Sequence, residues 1–282
     1  MTDALLDALW DTARLIPFLF LTYLAMEYIE HRAAAGTRKL ISRSGRLGPL
    51  LGAAAGLFPQ CGFSTAAANL YAARLISRGT LIAVFLSTSD EMLPILISEA
   101  AGVSEILKLL AIKLVVGMAA GFLVDLAGGR LCRDASAQEP KIHELCEHEH
   151  CDCEAGILPS ALRHTANITV FLFLATAALN LVILLVGEDS LAAFMQSQPV
   201  ISVLLTALAG LIPNCAPSVL MTQLYLQGAL SLGAAMAGLL AGSGVGILVL
   251  FRMNPDRKES LKIAGTIYLT GVVAGLLLEL VF

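Results

Sequence analysis

Charge is scarce in this chain: 14% of its 282 residues are Asp, Glu, Lys or Arg, while 57% are hydrophobic. Aromatic residues are scarce as well, at 6% with a single Trp. A soluble domain needs a charged, hydrated surface, and a mean hydropathy of +0.80 excludes one. The first apolar stretch, about Leu15 to Ile29, follows an acidic tail of Asp3, Asp7 and Asp11 and lacks a basic leader, so a retained helix is expected rather than a cleaved signal. Six cysteines, two in apolar segments and four in one loop, do not form a secreted disulfide framework. Phosphate-binding loops, nucleotide fingerprints and nucleophile–base constellations are absent. That removes support for an enzyme or an ATP-driven pump, and nucleic acid is not expected as a partner.

What the chain does contain is itself, twice. Gly56-Leu57-Phe58-Pro59-Gln60-Cys61-Gly62-Phe63-Ser64 returns as Gly210-Leu211-Ile212-Pro213-Asn214-Cys215-Ala216-Pro217-Ser218, displaced by 154 residues. The same displacement pairs Leu70-Tyr71 with Leu224-Tyr225, Ser89 with Ser243, Gly117 and Gly121 with Gly271 and Gly275, and Asp125 with Glu279. In so apolar a chain, two such halves are the mark of a transporter built from an internal repeat, with its site where the halves meet.

Apolar segments fall at about 15–30, 48–73, 79–98, 106–127, 166–187, 200–227, 232–251 and 263–281. If 48–73 and 200–227 are re-entrant hairpins with the Pro-Gln-Cys and Pro-Asn-Cys turns at their tips, then loops 31–46, 74–78, 128–165 and 252–262 share a side. Those loops hold 15 of the 18 Lys and Arg. The positive-inside rule puts that side in the cytoplasm and both termini outside. Three crossings plus one hairpin per half is an odd number, so the halves must be inverted. The expected fold is therefore an all-α polytopic membrane protein of two inverted repeats, 1–127 and 166–282, with about ten helical segments. Residues 128–165 form a cytoplasmic loop between them. Hairpin arms of about eleven residues reach about 16 Å, enough for two tips to meet near the midplane.

Pro59, Pro213 and Pro217 break helix at the tips, and Pro94 breaks the segment that follows. Beside the tips stand Gln60, Cys61 and Ser64, and in the second half Asn214, Cys215 and Ser218. Two amides, two thiols and two hydroxyls can wrap a dehydrated ion; alternatively they cap broken helices. Ser89-Asp90-Glu91 adds an ionisable pair inside an apolar span, where a charge costs at least ~2.5 kcal/mol and is functional by default. Its counterpart is Ser243-Gly244-Val245, without carboxylates. The loop tract His143-Glu144-Leu145-Cys146-Glu147-His148-Glu149-His150-Cys151-Asp152-Cys153-Glu154 holds three His, three Cys and five acids in twelve residues. His143, Cys146, His148, His150, Cys151 and Cys153 suit a divalent metal, although the spacing is not that of a zinc finger. Gly117-x-x-x-Gly121 and its copy are expected to let helices approach closely, Lys108 and Lys262 to snorkel, and Asp125 and Glu279 to sit at the interface.

Over essentially the whole chain, the duplicated tip motifs, Ser-Thr-Ser-Asp-Glu-Met-Leu-Pro and the Cys/His loop resemble the ten-helix heavy-metal exporters, also described as manganese transporters or ArsP-like arsenic efflux permeases. The matching positions are Pro59, Gln60, Cys61, Asp90, Glu91, Asn214, Cys215 and Pro217. The resemblance implies an inner-membrane permease exporting a metal or metalloid. The first expectation is a proton-coupled exporter of a divalent ion such as Mn, with Asp90 and Glu91 binding the ion or exchanging it for protons. No cofactor is required beyond the metal as cargo or loop ligand, and self-association is left open. The second is efflux of arsenic or of a small sulfur or oxyanion species, leaning on Cys61, Cys215 and helix N-termini. The third is a metal sensor.

Overall fold

The computed structural model describes residues 47–58, 61–89, 91–127, 157–186 and 199–281, with further positions between 9 and 24. Among them there is no strand. The helices are α1 (Gly48–Gly56), α2 (Cys61–Ala72), α3 (Arg78–Ser87), α4 (Met92–Ser98), α5 (Val103–Ala127), α6 (Ile157–Val186), α7 (Pro199–Gly210), α8 (Ala216–Leu226), α9 (Leu232–Ala241), α10 (Gly246–Met253) and α11 (Arg257–Val281). The described positions between Leu9 and Leu24 are also helical, and Tyr23 there donates to Asn69 of α2 at 3.1 Å. Four stretches are long and apolar enough to cross a membrane: Arg78–Ser98, Val103–Ala127, Leu232–Met253 and Arg257–Val281. α6 starts at Ile157, inside the stretch expected as loop.

Burial separates these four into two kinds. The windows at 78–98 and 232–253 are 71% and 83% buried, against 28% and 33% for α5 and α11. α3 and α9 are apolar or small on every side and form the centre. α5 and α11 turn Leu107, Val115 and Leu123, and Leu269, Val273 and Leu277, outward, as a lipid-facing helix does.

Small residues set how closely the helices approach. A Cβ on Gly121 would lie 2.7 Å from the Gly79 carbonyl oxygen, and one on Gly275 would lie 2.7 Å from that of Gly233. The two glycine pairs thus do the same job in both repeats. The N-termini of the central helices match as well. Ser77 and Ser231 cap α3 and α9, accepting from Thr80 and Ala234 amides at 3.1 and 3.2 Å. Asp125 accepts from the Ser77 hydroxyl at 2.7 Å and the Gly79 amide at 2.8 Å, and Glu279 accepts from Ser231 at 2.6 Å. Both acids therefore hold the positive end of a neighbouring helix, a more specific task than the interfacial placement expected of them.

The order of contacts gives the direction of each segment. Gly48 abuts Thr80, Gly52 abuts Thr80 and Val84, and Gly56 abuts Val84 and Ser87, so α1 and α3 run side by side in one sense. The chain between them turns back through α2 and residues 73–77, so α1 and α2 enter and leave at one end. Nine residues rise about 14 Å and the 21 residues of 78–98 about 32 Å, which leaves the tip near mid-span. There the Ser89 amide and hydroxyl donate to the carbonyls of Gly56 and Leu57 at 3.2 and 2.6 Å. α7 and α9 repeat the parallel pairing: Thr206 donates to the Ala234 carbonyl at 2.7 Å, and Gly210 abuts Gly238.

Both central spans are broken at mid-length. α3 ends at Ser87 and Thr88 turns away with ψ 123°, where the hydroxyls of Ser87 and Thr88 bond the carbonyls of Ala83 and Val84, each at 2.7 Å. The break thus precedes Pro94, which occupies the first turn of α4, where a missing N–H costs nothing. α9 ends at Ala241, and Gly244 takes φ +55°, a conformation that favours glycine.

Between repeats, α10 packs along α2 and α4 along α8. Gly246 abuts Ser64, and Tyr71 donates to Glu259 at 2.7 Å, so α2 and α10 run in the same sense. The broken span of the second repeat consequently ends where that of the first begins.

Gly79→Ala and Gly233→Ala should each lower stability by about 1–3 kcal/mol, whereas Gly265→Ala, whose Cβ meets nothing within 4 Å, should be neutral or slightly stabilising. Thermal unfolding of the purified protein in detergent checks all three.

Candidate functional site

The two breaks and the second hairpin tip border a small, partly open cavity with room for about one water-sized sphere. Thr88, Ser89 and Lys113 line it from the first repeat; Asn214, Pro217 and Ser218 from the second. Gly238, Gly242 and Gly244 complete the wall and keep it backbone-rich. Three helix ends with unpaired backbone groups converge here, namely the C-termini of α3 and α9 and the N-terminus of α8. The polar side chains partly serve those ends. Asn214 accepts from the Ala216 amide at 3.0 Å, and Ser218 donates to the Cys215 carbonyl at 2.8 Å.

Lys113 is the dominant charge among the described lining residues. It is the eleventh residue of α5 and only 1% exposed. Its ammonium donates to the carbonyls of Thr88 and of Leu239, the latter at 2.6 Å. Thr88 closes α3, and Leu239 lies in the last turn of α9, whose carbonyl oxygens have lost their intrahelical partners. One cation therefore satisfies the negative ends of two helices, one from each repeat. The equivalent position in the second repeat is Ile267, also buried, so the bridge exists once.

Sequence reasoning missed Lys113. The signal was present, since a lysine in the interior of an apolar 25-residue span has no interface within reach to snorkel to. Lys108, closer to the helix end, instead pairs with Glu105 at 3.5 Å.

Of the expected site residues, the structure gathers Ser89, Asn214, Pro217 and Ser218 at the cavity. Ser64 is fully buried on α2 against Gly246. Ser243 is buried beside the lining residues, and its hydroxyl has no hydrogen-bond partner. Glu91 is half-buried at the start of α4, Cys215 is half-buried just before α8, and Pro213 lies in the turn between α7 and α8. Pro59, Gln60, Asp90 and the loop ligands His143, Cys146, His148, His150, Cys151 and Cys153 lie outside the described residues, as does the side chain of Cys61. Among the described residues no three His, Cys, Asp or Glu side chains come together.

Long apolar helices, central spans broken at mid-length and polar groups gathered at the breaks define a multi-pass helical membrane protein. The chain belongs to the family described as "Putative, 10TM heavy-metal exporter", whose model matches residues 1–157 and 135–270. Neither a curated protein nor a solved structure matches the chain.

Lys113→Met should strand two buried carbonyls and cost about 1–3 kcal/mol, with Lys113→Arg, which keeps a donor cation, losing less; thermal unfolding reads both. The same measurement should find that Ser89→Ala, which frees the hairpin tip, costs about 1 kcal/mol while Ser243→Ala is neutral or stabilising.

Proposed function

We propose that this protein is a secondary transporter that exports a divalent heavy-metal ion from the cytoplasm, with its site at the cavity between the two broken spans. Residues 1–127 and 166–282 are the two repeats and 128–165 the cytoplasmic loop, into which α6 extends. The observation that carries this reading is that the broken spans run in opposite senses and meet at one polar cavity, in a chain of the heavy-metal exporter family. Two inverted repeats can exchange conformations, opening the same cavity first to one face and then to the other.

Asp90 and Glu91 directly follow the lining residue Ser89 in the chain, and the second repeat has no carboxylates at the matching positions. They bind the ion or exchange it for protons, and the amide and hydroxyl oxygens of Asn214 and Ser218 complete its shell. Such oxygen donors suit Mn or a similar ion. The Cys/His tract gathers cargo on the cytoplasmic side, where the basic loops put it. Lys113 favours a second cargo class. A buried ammonium lining the cavity, with the N-terminus of α8 opposite, disfavours a cation and favours a neutral or anionic arsenic or sulfur species.

Uptake into proteoliposomes separates the two. Transport of Mn, Zn, Co, Ni or Cd should respond to a pH gradient and fall at least tenfold, the weight of one charge-assisted contact, in Asp90→Asn/Glu91→Gln. Transport of arsenite or thiosulfate alone, unaffected by that double change, would overturn the divalent reading.

A further inference from the structure

Two further contacts between the repeats form a matched pair. The hydroxyl of Tyr71, at the end of α2, donates to Glu259, near the start of α11, at 2.7 Å. The hydroxyl of Tyr225, at the end of α8, donates to Glu105, near the start of α5. Adding the repeat displacement to Tyr71 and Glu105 gives Tyr225 and Glu259, so each contact is the image of the other. Residue i of one repeat touches j of the other, and j touches i, which is the signature of an isologous interface. All four side chains are half-buried.

Their positions along the spans follow from the contacts above. α2 leaves the mid-span tip and ends beside the start of α3; α8 leaves its own tip and ends beside the start of α9. Because the two broken spans run in opposite senses, Tyr71–Glu259 and Tyr225–Glu105 lie at opposite ends of the molecule, with the cavity between them. Each ties a hairpin arm of one repeat to the last long helix of the other. Both bonds are made in this structure, and the cavity between them has room for about one water.

We propose that these two tyrosine–glutamate pairs are the gates of the transport cycle: Tyr71–Glu259 closes the cytoplasmic end and Tyr225–Glu105 the opposite end. The structure holds both closed. Access from one end requires that end's hairpin arm to part from the other repeat while the second pair stays bonded. Chemically equivalent gates keep the two one-sided states close in energy, as a carrier that must visit both requires. The assignment rests on the transport reading above but does not depend on which cargo is carried.

The test uses Ser218→Cys, a reporter in the cavity wall, in membrane vesicles of either orientation. A membrane-impermeant maleimide is applied to one face, and labelling of the residue-218 peptide is read by mass spectrometry. Adding Tyr71→Phe should raise labelling from the cytoplasmic face roughly tenfold, the weight of one hydrogen bond to a charged group, and lower it from the other face. Tyr225→Phe should do the reverse. Glu259→Gln keeps an acceptor for the hydroxyl and should fall between Tyr71→Phe and the parent. Both tyrosine variants raising labelling from the same face, or neither changing it from either face in protein that elutes as the parent does, would overturn the gates. Because labelling needs no cargo, opposite shifts in the reporter, with no metal transport by the parent protein that keeps Ser218, would overturn the metal reading and leave the gates standing. Unchanged labelling in the reporter, with metal export by the parent protein, would do the converse.

Discussion

A helix that stops halfway across a membrane leaves backbone carbonyls and amides where lipid offers no partner. This protein stops α3 and α9 in that position, and the surrounding structure meets the resulting demand. Ser89 takes the carbonyls at the end of α1, Lys113 takes those at the ends of α3 and α9, and Asn214 takes an amide at the start of α8. Polar groups that would be costly in isolation are offset by one another, and the cavity is the space this exchange leaves.

Close approach of the helices makes the arrangement possible. Lys113 reaches both breaks only because α5 lies against α3 through Gly117 and Gly121, whose missing side chains let carbonyls of α3 come within contact distance. The second repeat uses Gly271 and Gly275 in the same way, yet carries Ile267 where the first has the lysine. The scaffold is thus duplicated and the charge is not. The frame is matched in the two halves, while the lysine joins the two breaks from the first half alone.

The same division separates helices that face lipid from helices that carry the site. α5 and α11 present leucine and valine outward, where chain-to-chain precision matters little. In α3 and α9 every residue after the first is buried, and a Cβ added at Gly79, Gly233 or Gly238 would meet a carbonyl oxygen of a neighbouring helix. The polar ends of these inner helices are capped and then held again by a carboxylate from the outer pair, through Asp125 and Glu279. That is why an acid near the end of an outer helix bears on the inner helices, whose breaks line the cavity.

The membrane character, the duplication, the placement of tips near mid-span and the singling out of Ser89, Asn214 and Ser218, which line the cavity, were legible in the residues. They rest on local properties: hydropathy, helix-breaking residues and a repeated word. The break before Pro94, in place of one at the proline, was not legible, because hydroxyl back-bonding and the tip of another segment decided where α3 ends. Nor were the partners of Lys113, which are backbone oxygens and therefore have no residue type to recognise. The pairing of Tyr71 with Glu259 and of Tyr225 with Glu105 joins positions 188 and 120 residues apart. Each of these residues recurs in the sequence, but only tertiary packing brings the tyrosine of one half against the glutamate of the other. The sequence by itself determined what each half is. How the halves meet was decided by tertiary structure, since contacts between distant segments depend on helix direction and close packing that no local pattern encodes.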